Sequence, residues 1–127
     1  MPSEVVAMED LQEMIIEQKI LDMMEYAYLH ALSQYPKSEK FALVADMKRN
    51  LDLLLEYEIE ARKKSTKKTT LLNMDITLDK LRKYVGLSYR LKHLPMQKYK
   101  TWSKMLDEIG KMLGAWLKTV NSRERRT

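Results

Sequence analysis

DEIGKMLGAWLKTVN, residues 107–121, decides the fold. It lies inside a helix predicted over Gln97–Asn121. Trp102, Leu106, Ile109, Leu113, Trp116 and Val120 recur every three or four positions, which is a heptad seam. At 100° per residue the six fall within roughly 80° of one another. Lys100, Lys104, Lys111 and Lys118 fall within roughly 40° on the opposite side. One helix thus carries an apolar face for a core and a basic stripe for something else. Gly110 and Gly114 stand between the faces. Each costs about 1 kcal/mol relative to Ala in a helix, so the pair implies a packing reason.

Working back along the chain, a third helix is expected over Lys67–Lys92. Leu71, Met74, Leu78, Leu81 and Val85 form its core stripe, and Tyr84, Leu87, Leu91 and Leu94 a second one beside it. Arg82, Gly86 and Arg90 line up on another side, with Lys83 next to Arg82. Pro95 stops this helix. Before it stands the one dense basic cluster, Arg62-Lys63-Lys64-Ser65-Thr66-Lys67-Lys68. Cations there suit the end of a preceding helix but not the start of the next, and Ser65 or Thr66 is the expected cap. A second helix, 38–64, is expected to start at Ser38 as N-cap and to bury Val44, Met47, Leu51 and Leu54. The first, Val5–Gln34, carries Ile16, Ile20, Met23 and Ala27, flanked by Leu21, Met24, Tyr28, Ala31 and Tyr35. Tyr35-Pro36 ends it.

These four helices with short links predict one all-α domain over 1–127, an up-down-up-down antiparallel four-helix bundle followed by a basic tail at 122–127. Three Gly and three Pro in 127 residues fit that reading. The double apolar stripes on the first and third helices exceed what one bundle core needs. They predict a closed cyclic homo-oligomer with head-to-tail contacts. No run of about 18 apolar residues occurs, so no membrane span is expected, and the absence of Cys fits a reducing cytoplasm.

The net charge of +5 hides an asymmetry: residues 1–34 carry −6, 35–60 carry −2 and 61–127 carry +13. A basic second half of this size points to a polyanion partner. Chemistry is absent by contrast. Neither His30 nor His93 has a Glu three residues earlier, as a di-iron bundle requires, and no phosphate loop or nucleophile–base signature is present. No enzyme, metal or cofactor is expected.

Tyr35-Pro36-Lys37-Ser38-Glu39-Lys40-Phe41-Ala42-Leu43 resembles the first junction of the small bacterial four helix bundle proteins, which include those encoded in intervening sequences of 23S ribosomal RNA genes. Glu108-Ile109-Gly110-Lys111-Met112-Leu113-Gly114-Ala115-Trp116-Leu117 is similar to their fourth helix. Within that group the chain most resembles the accessory variability determinants (Avd) of diversity-generating retroelements. The resemblance implies a barrel-shaped homopentamer that binds a reverse transcriptase and nucleic acid, RNA or DNA, during mutagenic copying of a template RNA. Arg82 matches that family's basic position on the third helix; Gly86 stands where a second Arg is frequent. The alternative is a structural bundle of the intervening-sequence type with no polymerase partner. The expected contact residues are Arg62, Lys63, Lys64, Lys67, Lys68, Arg82, Lys83, Arg90, Lys100, Lys104, Lys111 and Lys118, with Gly110, Gly114 and Trp116 in helix packing and assembly.

Overall fold

A computed structural model describes residues 4–126 of the chain, and the side chains of 11–124. The described residues form four long helices and no strand: α1 (Glu4–Tyr26), α2 (Leu43–Lys63), α3 (Lys68–Arg90) and α4 (Met96–Arg126). Each helix packs on the next and α1 packs on α4, so α1 and α3 stand at diagonal corners, as do α2 and α4. Among the described residues, no helix is long and apolar enough to cross a membrane.

The core follows the sequence periodicity. Trp102, Leu106, Ile109 and Leu113 of α4 are fully buried, as are Leu71, Met74, Leu78, Leu81 and Val85 of α3. Trp102 donates its indole N–H to Met23 Sδ at 3.3 Å, tying α4 to α1. Trp116 is the exception in the seam. It is only partly buried because it borders a cleft of about 230 Å³ between α1 and α4, beside Ile16, Met112 and Val120. Helix α4 runs on to Arg126, past the Asn121 end expected from the sequence, so the described residues 122–126 are helical rather than a tail. No Pro or Gly follows Gly114 to stop it, and a Lys68–Glu124 ion pair at 3.7 Å ties its last turns to α3.

The first helix is not α-helical to Gln34. At Ala27–Ala31 it takes a π turn, in which Leu32 N–H bonds the Ala27 carbonyl five residues back, and Leu32–Gln34 tighten to 3₁₀. The extra residue rotates the chain. Ala27, Ala31, Leu32 and Tyr35 are therefore all buried, while Tyr28 and Leu29 face out. The expected flanking stripe Leu21–Tyr35 is split accordingly, buried at its far end and exposed at Leu21 and Tyr28.

Capping also departs from expectation. Ser38 lies in a 3₁₀ turn, Lys37–Glu39, and α2 starts at Leu43 with no side-chain cap. Neither Ser65 nor Thr66 caps α3; the N-cap position is Lys67. The turn is held from the other side, for Lys67 Nζ donates to the carbonyls of Ala61 at 2.5 Å and Arg62 at 3.1 Å. A lysine satisfying the last carbonyls of a helix also suits its dipole. Helix α3 ends in a Schellman motif: His93 N–H reaches Ser88 O at 2.9 Å and Lys92 N–H reaches Tyr89 O at 3.0 Å. Lys92 occupies the left-handed position with φ 65°.

Candidate nucleic-acid interface

The seam of α4 fixes what its other side does. With Trp102 and Leu106 inward, Lys100, Lys104, Lys111 and Lys118 emerge exposed on the outer face. They span 18 residues, about 27 Å of helix at 1.5 Å per residue. Three acids share α4 with them, and all are engaged elsewhere, Glu124 with Lys68 of α3. Asp107 meets Arg82 Nε at 3.5 Å and Glu108 meets Lys19 at 3.7 Å. The four ammonium groups form no ion pair with the described residues. A row of unmatched positive charge remains along one edge of the bundle.

The 62–68 cluster behaves differently. Arg62 lies between Glu17 of α1 at 3.3 Å and Glu58 of α2 at 3.5 Å. Lys64 pairs with Glu60, Lys68 with Glu124, and Lys67 caps α2. Lys63 alone is exposed without an ion pair among the described residues. Most of this cluster therefore holds the fold together. The Lys68–Glu124 pair sets the turn at the same end of the bundle as Lys118.

Glu58 was not singled out in the sequence reading. It is fully buried, with neither carboxylate oxygen hydrogen-bonded within normal reach. Burial pushes its carboxyl up to about 7, helped by repulsion from Glu17 and Glu13 and opposed by Arg62. A signal for it exists, since Glu58 and Ala61 continue the 3-4 spacing of Met47, Leu51 and Leu54.

The third helix divides its cations. Arg82 turns toward α4, where its guanidinium lies over Gly110. Lys83 and Arg90 are exposed on the outer face of α3. A Cβ at Gly86 would meet nothing within 4 Å, and the same holds for Gly114. Gly110 thus makes room inside the protomer, and Gly114 faces open space. Trp116 packs within the protomer beside the α1–α4 cleft.

The surface carries one further pattern. Of twelve exposed large hydrophobic residues among the described side chains, six lie on α1 or its π turn and four on α3 or its cap, against none on α2. Periodicity found the α3 pair Leu87 and Leu91 and the α1 pair Leu21 and Tyr28; Leu11, Met14, Ile15, Leu29, Leu72 and Ile76 were missed. They stand opposite the core stripe of their helices, outside the arc that a core search scores.

The described residues define an all-helical four-helix protein that carries an unmatched row of lysines along α4. The bAvd-like family model matches residues 14–120, and the chain belongs to the bAvd-like family, the bacterial accessory variability determinants. That membership implies an accessory role in a diversity-generating retroelement, the role of a non-catalytic protein. No curated protein and no solved structure matches the chain.

Proposed function

We propose that this chain is the accessory subunit that binds a retroelement's reverse transcriptase and its template RNA or cDNA during mutagenic copying, in the cytoplasm and as a cyclic homopentamer. The observation that carries the reading is the unmatched lysine row on α4, Lys100, Lys104, Lys111 and Lys118. A ring repeats that row, so modest charge per protomer becomes a large local field. Lysines reach phosphates rather than base edges, which gives binding with little sequence preference. We put the polymerase contact on the same basic surface, with Arg82 at its margin. The chain performs no catalysis of its own.

The test is binding to a short RNA and the matching DNA across a salt series, with mass from light scattering. The expected mass is about five times the 15.1 kDa of one chain. The expected binding weakens steeply with salt, since each neutralised phosphate releases counterions. Lys104→Glu with Lys111→Glu should remove most of it while leaving helicity and mass unchanged. Polymerase capture is measured alongside. A folded wild type that binds neither nucleic acid at about 50 mM salt nor the polymerase leaves a structural bundle and overturns the proposal.

A further inference from the structure

The outer faces of α1 and α3 have matching layouts with opposite charge. Among the described side chains each first presents apolar residues, Leu11 and Ile15 on α1 and Leu72 and Ile76 on α3, all exposed. Each then turns charged, acidic at Asp22 and Glu25 on α1 and basic at Lys80 and Lys83 on α3. Each ends apolar again, at Leu29 and at Leu91. Asp75 and Asp79 are the acidic exceptions on α3, offset toward α4, and Lys19 is the basic exception on α1, drawn toward Glu108 of α4. These faces belong to diagonal corners of the bundle, so they point away from each other and cannot meet within one chain.

Both helices run in the same direction, because two reversals separate them. Leu11 with Leu72, Ile15 with Ile76 and Asp22 with Lys83 then share one offset, 61 residues (11 to 72, 15 to 76, 22 to 83). The bundle itself shows what level that offset corresponds to. Lys19 of α1 pairs with Glu108, and Arg82 of α3 pairs with Asp107, one position away on α4. Residues 19 and 82, 63 apart, therefore stand at nearly the same height. The difference from 61 is two residues, about 3 Å of helix. Pairing the faces in this register moves the next copy almost purely sideways. A sideways repeat closes into a ring, where a vertical step would build a filament.

We propose that the outer face of α1 docks in parallel on the outer face of α3 of a second copy of this chain, with Leu11 on Leu72, Ile15 on Ile76 and Asp22 on Lys83. The inference rests on the ring proposed above and supplies its contact. It also takes Lys83 and Arg90 out of the nucleic-acid surface and places them at the contact between copies. The two remaining corners, α2 and α4, then form the inner and outer walls of the ring. The lysine row of α4 lies whole on one wall, uninterrupted by the contacts.

The chain has no cysteine, which makes the test direct. Ile15→Cys combined with Ile76→Cys, oxidised at micromolar concentration, should give a ladder of covalent multiples up to the ring. Either substitution alone should give no ladder. In parallel, Asp22→Lys with Glu25→Lys should shift the chain toward monomer, and adding Lys80→Glu with Lys83→Glu in the same chain should restore the assembly. Circular dichroism checks that each variant is folded; should a charge variant fail that check, the cysteine pair decides. A monomeric wild type overturns the ring itself. An oligomeric wild type with no ladder from the cysteine pair overturns the α1–α3 docking and leaves the ring standing.

Discussion

The guanidinium of Arg82 lies across Gly110, where a Cβ would collide with Nη2 and stand 3.5 Å from Leu78 Cδ2. From that position Arg82 Nε reaches Asp107, one turn back on α4, at 3.5 Å. The missing side chain is what lets a charged group cross between α3 and α4 and neutralise an acid next to the lysine row.

Gly110 and Gly114 therefore respond differently to alanine. Gly114→Ala should stabilise the protomer by about 0.5–1 kcal/mol, the ordinary gain in helix propensity, because its Cβ enters open space. Gly110→Ala should gain less, because the Arg82 tip must swing aside and its pair with Asp107 is lost. That pair is partly exposed, so the loss is below about 1 kcal/mol. Urea unfolding of the two variants side by side measures the difference.

Lys92 holds the left-handed position of the α3 Schellman motif, a place where glycine is usual. A side chain there costs about 1 kcal/mol. Lys92→Gly should raise stability by up to that amount and leave the unfolding slope unchanged. Lys92→Val should lower it, since a β-branched residue resists positive φ.

Glu58 predicts a pH dependence. Its carboxyl titrates near 7 in the fold, above the value of a free carboxylate, so the folded chain keeps a proton that the unfolded chain has released. The stability it contributes is fully present below the unfolded pKa and is lost as pH rises through about 7. Glu58→Gln should flatten the loss between pH 5 and 8 and raise stability at pH 8, by about 1–2 kcal/mol. Thermal unfolding across that range reads it directly; a wild type that grows more stable toward pH 8 would contradict it.

Lys67 and Lys118 separate cations that hold the fold from cations offered to a ligand. Lys67→Met removes the donor that satisfies the Ala61 and Arg62 carbonyls and should cost about 1 kcal/mol. It should leave the salt dependence of RNA binding unchanged. Lys118→Glu should do the reverse, with stability unchanged and a shallower salt slope. Denaturation and fluorescence anisotropy on both variants distinguish the roles.

Most of the architecture was legible because α3 and α4 keep an unbroken 3-4 spacing from Leu71 to Val85 and from Trp102 to Val120. The buried hydrophobic residues of both helices lie on those stripes, while Thr70, Thr77 and Ser88 are buried beside the α3 stripe. Termini were less legible, since the groups that satisfy them come from elsewhere in the chain: Lys67 reaches back six residues to cap α2, and no pattern of Ser or Thr near 65 reveals it. The basic residues were legible as charges but not as roles. Whether Arg62 meets solvent or Glu58 depends on which way a neighbouring helix turns an acid, which composition does not encode. The α4 lysines were legible because their placement depends only on the rotation of one helix.

The π turn at Ala27–Ala31 has a meaning for comparing chains of this family. It is one residue more than an α-helix of the same path would hold. A relative lacking that residue would align with a single gap inside Ala27–Ala31 and with no other change. Forcing all of these residues into an α-helix without that deletion would turn everything upstream, Leu11 to Tyr26, by about 100° relative to Leu32 and Tyr35. A length difference of one amino acid, taken up by the π turn, thus leaves unchanged which residues α1 shows to the outside. It is a means by which related chains can differ in length while keeping the same core and the same outer face.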